Sequence, residues 1–166
     1  MFLIKYKMKY GIYTLVIENY LVKHLSLFRL YPSMLEFGWG NGYILLPTNH
    51  PLYKKPYDNI NDIRVHGGLT YGQLFNSDSF LKWIDGLSID GDVTLDNYEK
   101  FNNYWMIGFD TSHYGDNKEN CNKEYVIRQS EYLIDQCLDD KIEGVKKYKY
   151  RYSMKEKLIN INNIIE

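Results

Sequence analysis

The chain has 166 residues, a formal net charge of −1 and a charged fraction of 25%. This length fits one domain with a core of ordinary size. The near-neutral charge gives no basic field for sequence-independent binding, so we expect no duplex DNA partner. No run of about 18 apolar residues occurs and the N-terminus has no secretory pattern, so we expect no membrane association and an intracellular protein.

The first part of the chain predicts strands separated by turns. Ile12–Glu18 is rich in β-branched and aromatic residues, which indicates a strand. Asn19–Leu30 fits either a short amphipathic helix or a second strand paired with the first. The glycine-rich run at 38–42 indicates a turn or a close approach of two backbones. Tyr43–Leu46 then predicts a buried strand that ends at Pro47.

The middle of the chain predicts loops around one short strand and one short helix. Thr48–Asn61 contains two prolines and predicts an ordered surface loop. Ile63–Val65 indicates a short apolar strand that ends at His66. Tyr71–Ile89 indicates a short helix followed by a turn. Asp90–Asp92 lacks the later ligands of a calcium loop, so we interpret it as a turn.

The last third of the chain predicts one strand and the helical part of the fold. Tyr104–Phe109 indicates a strand, and Asn120–Asp139 has the clearest helical periodicity in the chain. We therefore predict an α+β single domain at 1–145, mainly an antiparallel sheet with one or two helices packed on it. The basic, Tyr-rich segment 146–166 is predicted to be a helical C-terminal extension.

The two cysteines, Cys121 and Cys137, are predicted to be free thiols. A straight helix would separate them by roughly 24 Å, which is far beyond the reach of a disulfide. No Cys-x-x-Cys pair is present, so a structural zinc site of the usual kind is not indicated.

The first candidate site follows the strand at Tyr104–Phe109. Asp110, His113 and Asp116 are spaced three apart in a glycine-containing loop, where their side chains can converge. Such a set can hold a divalent cation, or it can supply a base and an orienting carboxylate. The alternative is that the two aspartates only stabilise turns and His113 is an ordinary loop residue.

The second candidate site is His66 with Gly67, Gly68 and Thr70. Glycines let backbone N–H groups approach an anion closely, and the threonine adds a hydroxyl. The alternative is a histidine beside an ordinary Gly-Gly turn. Our working hypothesis is that two strand ends, at His66 and at Asp110, meet and form one pocket.

Four stretches also resemble a known family. They read G-W-G-N-G-Y-I-L-L-P, H-P-L-Y-K-K-P-Y-D, V-H-G-G-L-T and W-M-I-G-F-D-T-S-H-Y-G-D-N, in this order. Together they resemble a mostly uncharacterised family of small bacteriophage and prophage proteins, over roughly Glu36 to Gln136. The resemblance implies the cytoplasm of a bacterial host and, by analogy, a counter-defence protein that captures or destroys a nucleotide immune signal.

Three functions follow from these patterns as hypotheses. The first is binding of a small, nucleotide-like, phosphate-bearing ligand, with sequestration of an immune signal. The second is hydrolysis of such a ligand, with metal assistance as one option. The third is inhibition of a host protein through a protein interface. No certain cofactor is indicated, and a divalent metal and a homo-oligomer are both left open.

The candidate residues for these functions form two overlapping sets. If the protein is an enzyme, the catalytic set is His66, His113, Asp110 and Asp116. The ligand-binding set is Trp39, Tyr43, His50, His66, Gly67, Gly68, Thr70, Asp110 and His113.

Overall fold

The computed structural model describes residues 2–3, 8–18, 37–76, 79 and 99–165. The described part is α+β, as predicted, with a mainly antiparallel sheet and two α-helices. The strands are β1 (Phe2–Leu3), β2 (Met8–Lys9), β3 (Ile12–Glu18), β4 (Gly40–Leu46), β5 (Tyr71–Leu74) and β6 (Trp105–Phe109). The helices are α1 (Lys123–Cys137) and α2 (Val145–Ile165), and short 3-10 turns lie at Tyr57–Asn59 and Glu99–Phe101.

The sheet has the strand order β1-β3-β4-β6-β5, and β2 also pairs with β3. All of these pairs are antiparallel. The register sets Ile44 opposite Ile107 and Gly42 opposite Phe109, so β4 begins at the edge of the sheet where β6 ends. That edge carries the candidate site.

Side chains alternate along each strand, and strands β3, β4 and β6 are buried on both faces of the sheet. Ile12 and Val16 of β3 face the larger core under α1, whereas Leu15 and Ile17 face a smaller aromatic cluster. The buried side chains of α1 are Val126, Ser130, Leu133, Ile134 and Cys137. Their spacing of three, four and seven residues places them on one side of the helix, which packs on β3 and β4.

The two helices differ in how they attach to the domain. Helix α1 begins at a side-chain cap, because the Asn122 side chain accepts a hydrogen bond of 2.9 Å from the Tyr125 amide. Helix α2 packs through its first turn, where Val145 and Tyr148 are buried and the Tyr148 hydroxyl donates to the Tyr10 carbonyl. Further along α2, Leu158 is 59% exposed. The basic segment is therefore helical, and its beginning belongs to the core.

Several predicted elements are confirmed. The strands at Ile12–Glu18 and Tyr43–Leu46 are present, and the predicted strand at Tyr104–Phe109 runs from Trp105. The helix predicted at Asn120–Asp139 is α1, and both cysteines are free.

Two predicted elements are wrong. Ile63–Val65 forms no strand; the chain has an irregular path there, and Ile63 packs into the larger core. Tyr71–Leu74 is a strand and not the start of a helix, because it pairs with β6 from Tyr71 opposite Gly108 to Leu74 opposite Trp105. Pairing with a neighbouring strand outweighs the local apolar periodicity.

The glycine run at 38–42 is mostly strand, and the close-approach interpretation applies to it. A Cβ atom at Gly40 would overlap the Ile17 carbonyl, and one at Gly42 would overlap the Ser130 hydroxyl. The glycines thus let β3 and α1 pack directly on the β4 backbone.

The predictions for Asn19–Leu30, for residues 80–89 and for Asp90–Asp92 lie outside the described residues. In the described part, no helix combines the length and the apolar character needed to cross a membrane.

Candidate functional site

The antiparallel pairing of β5 with β6 brings the two candidate loops together. The Thr70 amide donates to the Gly108 carbonyl at 2.9 Å, and Tyr71 lies opposite Gly108. The residues that precede β5 therefore lie beside the residues that follow β6. The segment containing His66 meets the loop containing His113 for this reason.

His66 uses both of its ring nitrogens. Its Nε2 lies 2.9 Å from Oδ2 of Asp116, and its Nδ1 lies 2.9 Å from the Tyr125 hydroxyl. A carboxylate only accepts hydrogen bonds, so in the neutral ring Nε2–H donates to Asp116 and Nδ1 accepts from Tyr125. The two contacts fix the orientation of the imidazole.

Asp116 is the buried carboxylate of the site, with 7% of its surface exposed. Its Oδ2 also accepts a hydrogen bond of 2.9 Å from the His113 amide, and its Oδ1 lies 3.6 Å from Sγ of Cys121. Burial alone raises the pKa of Asp116, but the hydrogen bonds from His66 and the His113 amide outweigh burial and lower it. The ionised form is therefore the stable one.

His113 lies against His66, with ring centroids 5.4 Å apart. Its Nε2 is buried, has no hydrogen-bond partner among the described residues, and lies 3.7 Å from Oδ1 of Asp110. The His113 ring can lie here only because residue 67 is a glycine: a Cβ atom at Gly67 would overlap the ring. A buried ring nitrogen that makes no hydrogen bond destabilises the fold unless it has another binding partner.

His66, His113 and Asp116, hereafter the His–Asp cluster, form a group that can hold a metal ion. One ligand atom from each residue can be chosen so that all three atoms lie within 4.8 Å of one another. Two imidazole nitrogens and one carboxylate oxygen suit Zn²⁺ and related transition metals.

Cys121 lies at the edge of the cluster and is not arranged as a nucleophile. It is buried, and burial together with the Asp116 carboxylate raises the pKa of its thiol to about 11. Its Sγ lies 3.9 Å from the same His66 nitrogen that binds Asp116. In a nucleophile–histidine–carboxylate relay the two partners occupy different ring nitrogens. A cysteine relay is therefore not formed here.

Asp110 fits both interpretations made from the sequence: it stabilises a turn, and it lies beside the candidate site. Its Oδ1 accepts a hydrogen bond of 3.0 Å from the Ser112 amide, which is the predicted turn role. The same oxygen faces the buried Nε2 of His113. Asp110 thus lies beside the cluster and is 31% exposed.

The Gly-Gly turn differs from the predicted anion-binding loop. Gly67 and Gly68 have φ angles of 63° and 90°, which glycine adopts readily. The Gly68 amide donates to the Val65 carbonyl at 3.0 Å and closes the turn, so this N–H is already used within the protein. The Thr70 amide likewise extends the pairing with β6.

His50 lies apart from the His–Asp cluster. Its Nδ1 accepts from the Leu52 amide at 3.1 Å, and its Nε2 contacts the Cys137 carbonyl at 3.2 Å. Both ring nitrogens are used within the fold. Burial lowers the pKa of His50 to about 4, although its bond to the Cys137 carbonyl acts in the opposite direction.

Tyr43 and Trp39 are also structural in their contacts. Tyr43 belongs to the aromatic face of the sheet and packs edge-on to Tyr71, with ring centroids 5.3 Å apart. A cavity of about 500 Å³ lies on that face, lined in part by Tyr71 and Met106, and is separate from the cluster. Trp39 packs on the larger core, and its ring lies under Nζ of Lys123.

Sequence reasoning missed three residues at or beside the cluster. Tyr125 contacts His66, Cys121 contacts Asp116, and Tyr114 next to His113 is fully exposed. The spacing of Cys121 and Tyr125, four apart at the start of a predicted helix, was the available signal for two of them. No comparable signal marked Tyr114.

Comparisons with protein-family models, with curated proteins and with solved structures each found no match.

Proposed function

We propose that the chain binds a small, nucleotide-like, phosphate-bearing ligand at the His–Asp cluster, through a divalent cation held by His66, His113 and Asp116. The observation that carries the proposal is the convergence of three suitable ligand atoms within 4.8 Å. These atoms come from two loops that are separate in sequence.

The size of the cluster is close to that of a metal site. Two ligands at about 2.1 Å from a tetrahedral zinc ion lie roughly 3.4 Å apart. The three ligand atoms, which lie within 4.8 Å of one another, would therefore have to draw together by up to about 1.4 Å to close around the ion. The His66–Asp116 hydrogen bond would be replaced by two metal bonds.

Tyr125 supports the metal role of His66. Histidines that bind a metal through one nitrogen usually donate a hydrogen bond from the other, which fixes the tautomer and the ring. When Nε2 binds the metal, the ring would take the other tautomer and Nδ1–H would donate to the Tyr125 hydroxyl, which is 2.9 Å away.

A cation also explains how an anionic ligand would approach Asp116. The carboxylate is buried and its pKa is lowered, so it is ionised and repels a phosphate. A metal ion between them supplies the opposite charge and a position for a phosphate oxygen. Tyr114, which is fully exposed beside His113, offers a ring on which a base can stack.

Hydrolysis of the same ligand is the second candidate function. The observation that favours it is the number of protein ligands, because three ligands plus an open position are typical of catalytic zinc sites. A metal ion held by these three residues would supply a bound water as the nucleophile.

The test is incubation of purified, zinc-loaded protein with a panel of linear and cyclic nucleotides, followed by chromatography of the free fraction and of the heat-released fraction. The panel includes cyclic nucleotides because the resemblance to phage proteins suggests an immune signal as the ligand. Depletion of one nucleotide and its intact recovery on heating supports binding. New products support hydrolysis.

The matched variants for this test are Asp116→Asn and Asp58→Asn. The first removes the buried charge of the cluster, whereas Asp58 is an exposed residue of the Tyr57–Asn59 turn. Depletion that is lost in the first variant and kept in the second assigns the activity to the cluster. If no nucleotide is depleted, or if both variants behave alike, the proposal is overturned.

A further inference from the structure

We propose that Cys121 is the fourth protein ligand of the cation, so that the site is built for Zn²⁺ or a similar transition metal. This inference rests on the cation site of the proposed function. It adds the identity of the fourth ligand and the class of metal.

Cys121 lies close to two of the three residues of the His–Asp cluster. Its Sγ lies 3.9 Å from Nε2 of His66 and 3.6 Å from Oδ1 of Asp116. A sulfur at 2.3 Å and a nitrogen at 2.0 Å from a tetrahedral zinc ion are about 3.5 Å apart. The thiol is therefore already at ligand spacing from two of the three cluster residues.

The backbone holds Cys121 in this place. Its amide donates to the Asn117 carbonyl at 2.9 Å, and its carbonyl accepts from the Trp39 amide at 2.6 Å. These bonds tie the residue to its own loop and to the segment that leads into β4. With 3% of its surface exposed, Cys121 is enclosed by the fold.

The chemistry of the four groups selects the metal. Mg²⁺ and Ca²⁺ prefer oxygen ligands only, whereas two imidazoles and a thiolate favour Zn²⁺, Co²⁺ and related ions. A thiolate and a carboxylate also balance the double charge of the ion. A neutral centre costs less to bury than a charged one.

A fourth protein ligand has a consequence for function. Sites with four protein ligands are typical of zinc that does not catalyse, and catalytic zinc keeps an open position. Ligation by Cys121 thus disfavours hydrolysis by a metal-bound water. A bound nucleotide would have to add a phosphate oxygen as a fifth ligand, from the exposed side of Tyr114 and Gly67.

The experiment is titration of metal-free full-length protein with Co²⁺, followed by absorption spectroscopy. Co²⁺ bound by a thiolate gives a sulfur-to-metal charge-transfer band in the near ultraviolet, in addition to the visible bands of any tetrahedral site. The variants are Cys121→Ser and, as matched control, Cys137→Ala, which removes the other buried thiol.

We expect visible bands and one charge-transfer band in the wild-type protein and in Cys137→Ala. In Cys121→Ser the charge-transfer band is lost and the visible bands persist with weaker Co²⁺ affinity. Visible bands without a charge-transfer band in the wild-type protein overturn the role of Cys121 and leave the three-ligand cation site standing. Absence of all Co²⁺ bands overturns both the fourth ligand and the cation site.

Discussion

Nε2 of His66 lies 2.9 Å from Oδ2 of Asp116, although the two residues are 50 positions apart in the chain. The same oxygen accepts the amide hydrogen of His113 at 2.9 Å. One carboxylate oxygen therefore joins the loop before β5 to the loop after β6. The positions of both imidazoles depend on it.

Gly67→Ala should disrupt the cluster without changing any of its functional groups. The new methyl group would overlap the His113 ring, so His113 must move away from His66. Gly68→Ala is the matched control, because its φ is also positive but a Cβ atom there meets nothing within 4 Å. Each variant should lose about 1 kcal/mol of stability from the backbone alone.

The measurement is Zn²⁺ affinity by calorimetry together with urea unfolding of both variants. Only Gly67→Ala should lose metal affinity. Equal affinity in the two variants would show that His113 does not need its present position.

Tyr125→Phe should weaken the metal site while the fold stays intact. The change removes only the hydroxyl that contacts Nδ1 of His66. Loss of such a hydrogen bond typically lowers metal affinity by about 10- to 100-fold. Tyr132→Phe, on the same helix but 53% exposed, is the control and should bind metal as the wild type does. Unchanged affinity in Tyr125→Phe would argue that His66 is not a ligand.

Tyr114→Ala should reduce nucleotide affinity and leave metal affinity unchanged. Its side chain is fully exposed, so its removal costs the fold little. Loss of base stacking is worth about 1–3 kcal/mol per base. The control is Tyr150→Ala on α2, which is 67% exposed. Equilibrium dialysis with the depleted nucleotide checks the prediction, and equal affinity in both variants contradicts it.

His50 should make the fold less stable in mild acid. Its pKa is 6.5 in the unfolded chain and about 4 in the folded protein. Between these values the unfolded state binds a proton that the folded state does not, so stability is complete above pH 6.5 and falls as the pH drops toward 4. The full effect is about 3 kcal/mol.

Urea unfolding of the wild type and of His50→Asn at several pH values checks this prediction. The variant lacks the titrating ring, so its stability should change less between pH 6.5 and 4 than that of the wild type. Its stability at neutral pH should also be lower, because contacts to Leu52 and Cys137 are altered. Identical pH profiles would mean that His50 does not titrate as described.

The sequence predicted those parts of the fold that depend on local pattern. The strand at Ile12–Glu18 and the helix α1 have clear periodicities, and both are present. The strand Tyr71–Leu74 was misjudged, because its conformation comes from pairing with β6 and not from its own residues. Local patterns carry no information on such a pairing.

The candidate site also shows the difference between what local sequence pattern predicts and what depends on tertiary contacts. His66, His113 and Asp116 were selected by residue type and neighbouring glycines, and the structure brings them together. His50 was selected on the same grounds, but its ring nitrogens are used by Leu52 and Cys137. Whether a polar residue is already satisfied depends on tertiary contacts, which the sequence alone does not give.

The most direct test of the His–Asp cluster as a cation site is calorimetric titration of metal-free protein with Zn²⁺, compared with Asp116→Asn and with Asp58→Asn as control. We predict one bound ion per chain in the wild type and the control. In Asp116→Asn we predict affinity at least about 10-fold weaker, a difference of about 1.4 kcal/mol. Absence of binding in the wild type, or equal binding in Asp116→Asn, would contradict the account.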